Sequence, residues 1–116
     1  MQPPNLKWQP QVSVYDDSCL HIEYRRYFFA VKGTSILFSK TEFRILARLV
    51  RGINSIVAFE DLWEAGWGQE KPINRKNLHV LVSKVRRKLE PVGVRVNNVV
   101  GVGYILSHGS CCHTRI

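Results

Sequence analysis

The chain has 116 residues, enough for one compact domain with its own core and too few for two. At 45% hydrophobic and 22% charged residues it has globular composition, with no apolar run near the ~20 residues that a membrane span needs. Lys and Arg number 17 against 9 Asp and Glu, a formal charge of +8, which points to a polyanionic partner, nucleic acid first and an anionic membrane surface second.

Residues 1–10, rich in Pro and Gln, read as a flexible arm without the apolar stretch of a signal peptide, so the expected compartment is the cytoplasm. Short strand-like pieces follow at Val12–Tyr15, Leu20–Tyr24, Tyr27–Val31 and Ile36–Phe38. Asp16-Asp17-Ser18, Arg25-Arg26 and Lys32-Gly33-Thr34 are the turns between them, which makes an antiparallel meander. Ser39-Lys40-Thr41-Glu42 matches a capping box and opens a first helix, whose apolar stripe is Phe43, Leu46, Leu49 and Val50. Gly52 ends that helix. Ile56-Val57 is extended, Phe59 to Gly66 is a second helix, and 67–72 is a loop. A third helix runs from about Ile73 to Glu90, stopped by Pro91 and Gly93. Val94–Val96 and Val99–Leu106 form a final hairpin, with either Asn97-Asn98 or Gly101 to Gly103 supplying the turn.

The charge is not spread along these elements. Residues 1–38 carry a net +1, 39–70 a net −1, and 71–116 the whole +8. The third helix explains much of it. At about 100° per residue, Leu78, Val82, Val85 and Leu89 fall within an arc of roughly 60°. Lys76, Val80, Ser83, Lys84 and Arg87 fall opposite, with Asn77 at the edge, Arg86 and His79 on one flank, and Leu81 and Lys88 on the other. A helix with one oily side and one cationic side is what the major groove admits. Lys and Arg donate to guanine O6/N7 or to phosphates, Asn bridges adenine, and Val80 can touch a thymine methyl. A merely solvated face would carry acidic residues at i±4, and they are nearly absent here.

These features together resemble a known family. Ile36-Leu37-Phe38-Ser39-Lys40-Thr41-Glu42-Phe43-Arg44-Ile45-Leu46 is the first anchor, and Asp61-Leu62 with Trp67-Gly68 the second. Val82-Ser83-Lys84-Val85-Arg86-Arg87-Lys88-Leu89-Glu90-Pro91 and Gly101-Val102-Gly103-Tyr104 complete the set. In this order and spacing, over about residues 12 to 107, they resemble the OmpR/PhoB-type winged-helix DNA-binding domain of bacterial response regulators. The resemblance implies an α+β winged helix-turn-helix: an N-terminal antiparallel sheet, a three-helix bundle and a C-terminal β-hairpin wing. It divides the chain into the arm 1–10, the domain 11–107 and a tail 108–116. It implies a sequence-specific regulator of transcription that binds double-stranded DNA, often as head-to-tail dimers. The third helix would enter the major groove and the wing would lie on the adjacent backbone or minor groove.

Carried over by position, the DNA-binding residues are Arg75, Lys76, Asn77, Val80, Ser83, Lys84, Arg86 and Arg87. The loop Gly68, Gln69, Glu70 and Lys71 falls where the family can touch RNA polymerase. Three positions depart from the family pattern: Lys76 stands in place of Arg, Leu81 in place of a phosphate-binding His, and Val100 in place of a wing Arg. The last shifts the expected wing contact to Arg95 and Asn98. Ala58 stands where a capping Ser or Thr is common, which weakens the start of the second helix by ~1 kcal/mol.

No receiver-type βα repeat is present, and Asp16-Asp17 reads as turn chemistry rather than a phosphoacceptor. No catalytic motif is visible, so no enzyme activity and no cofactor are expected. The odd count of three cysteines argues against a disulfide scaffold, and Cys19 reads as a small buried hydrophobe. His108, Cys111, Cys112 and His113 lack a second ligand pair, so no metal site is expected. A rival reading, motivated by the missing wing arginine and histidine, is a protein-interaction module on the same fold without DNA binding, acting through Arg44, Arg48 and Arg51.

Overall fold

The computed structural model describes residues 14–107 and the backbone of Trp8 and Gln9. The remainder of the expected arm, and the tail with its Cys and His residues, lie outside the described residues. The chain forms two compact units that divide between Leu37 and Phe38.

The first unit is a five-stranded antiparallel meander in sequence order: β1 (Trp8–Gln9), β2 (Val14–Asp16), β3 (Leu20–Glu23), β4 (Phe28–Val31) and β5 (Thr34–Ser35). Period-two alternation buries Leu20 and Ile22 on β3, paired across to Val31 and Phe29 on β4. Two corrections to the sequence reading follow. Part of the expected arm is strand, because Trp8 and Gln9 pair with Tyr15 and Val14. The last strand of the meander is Thr34–Ser35 rather than Ile36–Phe38. Lys32 and Gly33 both have positive φ (47° and 86°), so they close a two-residue hairpin turn that brings Thr34 directly opposite Val31.

Asp17 behaves as turn chemistry requires. Its Oδ1 accepts from the amides of Cys19 and Leu20, both at 2.7 Å, and its Oδ2 accepts from Tyr15 Oη at 2.6 Å. Cys19 is buried as expected, but it is disulfide-bonded and not a free thiol.

The second unit holds three helices and a three-stranded sheet. Helix α1 (Lys40–Arg51) starts on the expected capping box: Glu42 N donates to Ser39 Oγ at 3.2 Å, and Ser39 N donates to Glu42 Oε1 at 2.9 Å. Its apolar stripe, Phe43, Leu46, Leu49 and Val50, is fully inside, joined by Ile45 and Ala47. Strand β6 (Ile56–Ala58) leads straight into α2 (Phe59–Trp67), and α3 (Arg75–Leu89) follows a seven-residue loop. Helix α3 starts two residues later than expected, because Asn74 caps it by accepting from Asn77 N at 3.0 Å. Helix α1 packs on both α2 and α3. Glu90–Val92 continues α3 as a short 3-10 turn ending in left-handed Gly93.

The hairpin β7 (Arg95–Val99) and β8 (Gly103–Ser107) turns at residues 100–102 around Gly101, whose φ is +78°. Of the two candidate turns, the glycine one is used, and Asn97 and Asn98 stay in β7. Strand β6 pairs on the other side of β8, with Ala58 opposite Gly103 and Val57 opposite Tyr104. The backbones approach so closely there that a Cβ on Gly103 would fall 1.9 Å from the Val57 carbonyl oxygen. The turn also supports α2: Phe59 N, the first amide of that helix, donates to Val102 O at 3.1 Å. No helix among the described residues is long and apolar enough to cross a membrane.

Two stability outcomes follow. Gly103→Ala should cost more than the ~1–3 kcal/mol of ordinary overpacking, since backbone and not side chain must give way; urea denaturation measures it. Ala58 caps α2 with extended φ and ψ but no side-chain bond. Ala58→Ser should therefore stabilise the protein by about 1 kcal/mol in the same assay.

Candidate nucleic-acid interface

The buried face of α3 is Leu78, Val82, Val85 and Leu89, each 1% exposed or less. The opposite face presents Lys76, Val80, Lys84 and Arg87 to solvent, with Ser83 half-buried among them. Val80 is 45% exposed, an apolar group held in water between two cations. Lys76, Lys84 and Arg87 form no ion pair among the described residues. This outer face therefore projects charge that the fold itself does not neutralise.

The remaining cations of α3 are held differently. Arg86 is half-buried, and its Nε donates to Val96 O on β7 at 2.8 Å, which ties the helix to the wing. Arg75 lies 4.4 Å above the ring of Phe59, at the start of α2. Lys88 is diverted altogether. Its Nζ donates to Glu42 Oε1 at 2.8 Å and sits 5.1 Å from the Phe38 ring centre. Of the four clustered cations Lys84, Arg86, Arg87 and Lys88, only Lys84 and Arg87 point outward without such a tie.

Asn77, exposed on the first turn, has its backbone amide taken by the Asn74 cap, which leaves the side-chain amide outside. On the wing, Asn98 is exposed and pairs with Tyr104 near the tip. Arg95 is exposed too, but it pairs with Ser107 at the base of the hairpin, away from the tip. The tip itself is apolar, with Val100 87% and Val102 46% exposed. The loop 68–71 lies in the connection between α2 and α3. It is anchored by Trp63 Nε1 donating to Lys71 O at 2.9 Å and by Gln69 Nε2 donating to Glu64 at 2.7 Å. Gly68 makes the bend with φ +87°.

Sequence reasoning missed the partners. His79, placed only on a flank of the third helix by its period, has Nδ1 3.0 Å from the Tyr104 hydroxyl on β8. Those two residues are 25 positions apart, and no local pattern joins them. The Glu42–Lys88 pair spans 46 positions and is equally hidden. Among the described residues no group of three or more His, Cys, Asp or Glu could hold a metal ion.

A buried-stripe helix with an exposed cationic face, followed by a hairpin bonded to its flank, defines a winged helix-turn-helix of the α+β class. The family profile "Transcriptional regulatory protein, C terminal" matches residues 33–106, and the chain belongs to that family, the OmpR/PhoB type of DNA-binding domain. The response regulator ArlR of Staphylococcus haemolyticus is 27% identical over 103 residues, covering 87% of this chain and 47% of that protein. The chain thus spans about half the length of the curated relatives it matches. Among solved structures, the response regulator DrrB of Thermotoga maritima, an OmpR/PhoB homolog, superposes with a TM-score of 0.67 at 28% identity, over 82% of this chain and 44% of that one. The Klebsiella pneumoniae RstA DNA-binding domain, solved in complex with the RstA box, shares the fold at a TM-score of 0.68 and 20% identity, over 82% of this chain and 97% of that one.

Glu42 sets an acid limit on this arrangement. Burial pushes its carboxyl up, but the Lys88 ammonium and the Ser39 amide more than offset that and hold it below the ordinary carboxylate range. A lowered folded-state value means that the carboxylate contributes stability above the unfolded value, and the contribution is lost as pH falls through the folded one. Glu42→Gln should flatten the stability profile measured by thermal melts between neutral pH and about pH 3. Lys88→Met should leave the carboxylate short of a partner and cost about 1–3 kcal/mol at neutral pH.

Proposed function

We propose that this chain is a sequence-specific, double-stranded DNA-binding module of a transcription regulator, acting in the cytoplasm by binding and not by catalysis. One observation carries the reading: Lys76, Val80, Ser83, Lys84 and Arg87 form a continuous outward face on a helix whose opposite face is fully buried. In this reading α3 enters the major groove. Lys76, Lys84 and Arg87 donate to guanine edges or phosphates, Asn77 bridges an adenine, and Val80 meets a thymine methyl. Arg75 and Arg86 offer their remaining N–H groups to phosphate. The wing lies on the neighbouring backbone or minor groove through Asn98 and, at its base, Arg95. Its apolar tip adds contact without charge. The loop Gly68–Lys71 is the surface that meets RNA polymerase, and two copies bind tandem half-sites head to tail.

Duplex binding measured across a salt series tests this. Log affinity should fall linearly with log salt. Lys84→Ala should either relax base preference at one position by ~1–3 kcal/mol, if it reads a base, or lower the salt slope by about 0.9, if it neutralises a phosphate. Binding that ignores salt, or that is untouched by Lys84→Ala and Arg87→Ala together, overturns the reading.

A further inference from the structure

One flank of α3 holds Arg75, His79 and Arg86 within an arc of about 40°. Each is fastened through one group, Arg75 to Phe59, Arg86 to Val96 O and His79 to Tyr104 Oη. The histidine differs from its neighbours in what the bond does to it. Tyr104 is 2% exposed, whereas His79 is exposed. Burial pushes the Tyr104 phenol up, against a smaller lowering by Arg86, so the hydroxyl keeps its proton. His79 is the one side-chain partner of that hydroxyl among the described residues. A buried O–H without an acceptor is costly, so the phenol donates and Nδ1 accepts. The neutral ring is thereby fixed with its hydrogen on Nε2, on the edge away from Tyr104.

His79 also stands at the border of the outward face, three residues after Lys76 and four before Ser83, so it shares their side of the helix. We propose that His79 is a further DNA-contacting residue, whose Nε2–H donates to a backbone phosphate oxygen, and that Tyr104 is its positioning residue. This rests on the reading of α3 as the groove-binding helix. Residues on the flank of such a helix meet the groove wall, which is phosphate, and not the base edges on its floor. A neutral donor adds affinity without releasing a counterion, so it is distinguishable from the lysines and arginines around it.

The experiment places a single uncharged methylphosphonate at successive positions of a bound duplex. It compares the wild-type chain with His79→Ala, Tyr104→Phe, the double variant and Lys84→Ala, with circular dichroism confirming the fold of each. His79→Ala should bind about tenfold more weakly, the worth of one hydrogen bond from an uncharged donor to a charged acceptor, with an unchanged salt slope. One methylphosphonate should weaken the wild type and leave His79→Ala indifferent. Tyr104→Phe should lose part of the same affinity and add no loss in the His79→Ala background. Nitrogen-15 NMR of the free protein should show the Nε2–H tautomer. The proposal is overturned by full affinity in His79→Ala, by a methylphosphonate pattern identical in the two proteins, by additive losses in the double variant, or by the Nδ1–H tautomer. If Lys84→Ala also leaves binding unchanged, or no form binds duplex, the groove reading falls with it. A normal Lys84 effect beside an indifferent His79 overturns this inference alone.

Discussion

The orientation of α3 depends on four aliphatic side chains. Leu78, Val82, Val85 and Leu89 are shut away from water, and each contributes about 1.5–3 kcal/mol by being so. Because they share one narrow arc, the helix has one favourable rotation about its axis, and that rotation sends Lys76, Val80, Lys84 and Arg87 outward. No specific bond is needed to aim these residues. A turn of the helix by even one position would expose leucine and bury lysine, and burying an unpaired charge is far costlier than any contact it could gain.

Electrostatics inside the second unit sorts the cations into those that hold the fold and those that do not. Glu42 receives Ser39's amide and Lys88's ammonium, so the start of α1 and the end of α3 share one carboxylate. Arg48, half-buried, lies 3.6 Å from the exposed Asp61 and joins α1 to α2 through a partly exposed, weak pair. Arg75 and Arg86 are each half committed, one to an aromatic face and the other to a strand carbonyl. What remains uncommitted on α3 is a compact group of three cations. A charge count over residues 71–116 treats all of these as equal, and the structure does not.

The legible parts of the fold are those written in local chemistry. The capping box of α1 needs only Ser39 and Glu42 three residues apart, and the buried stripe of α3 needs only its 3.6-residue period. The parts that were not legible depend on distant backbone. The need for glycine at position 103 comes from Val57, more than forty residues upstream, whose carbonyl oxygen leaves no room for a Cβ there. The start of β5 at Thr34 depends on a two-residue turn with positive φ at Lys32, a residue type that gives no warning of it. The same holds for the candidate interface. Its outward face is a matter of period, whereas the ties of Arg86, Lys88 and His79 are tertiary and leave no trace in spacing.

Trp63 and Trp67 stack at 4.1 Å with their planes 18° apart, and the Trp63 indole N–H holds the carbonyl of Lys71. The pair therefore ties an aromatic chromophore to the backbone of the α2–α3 connection. Any event that displaces that connection must break the indole bond or slide one ring over the other. Either change alters tryptophan emission and the coupled near-ultraviolet dichroism of the two rings, so the protein carries an intrinsic optical gauge of the segment's conformation that needs no attached label.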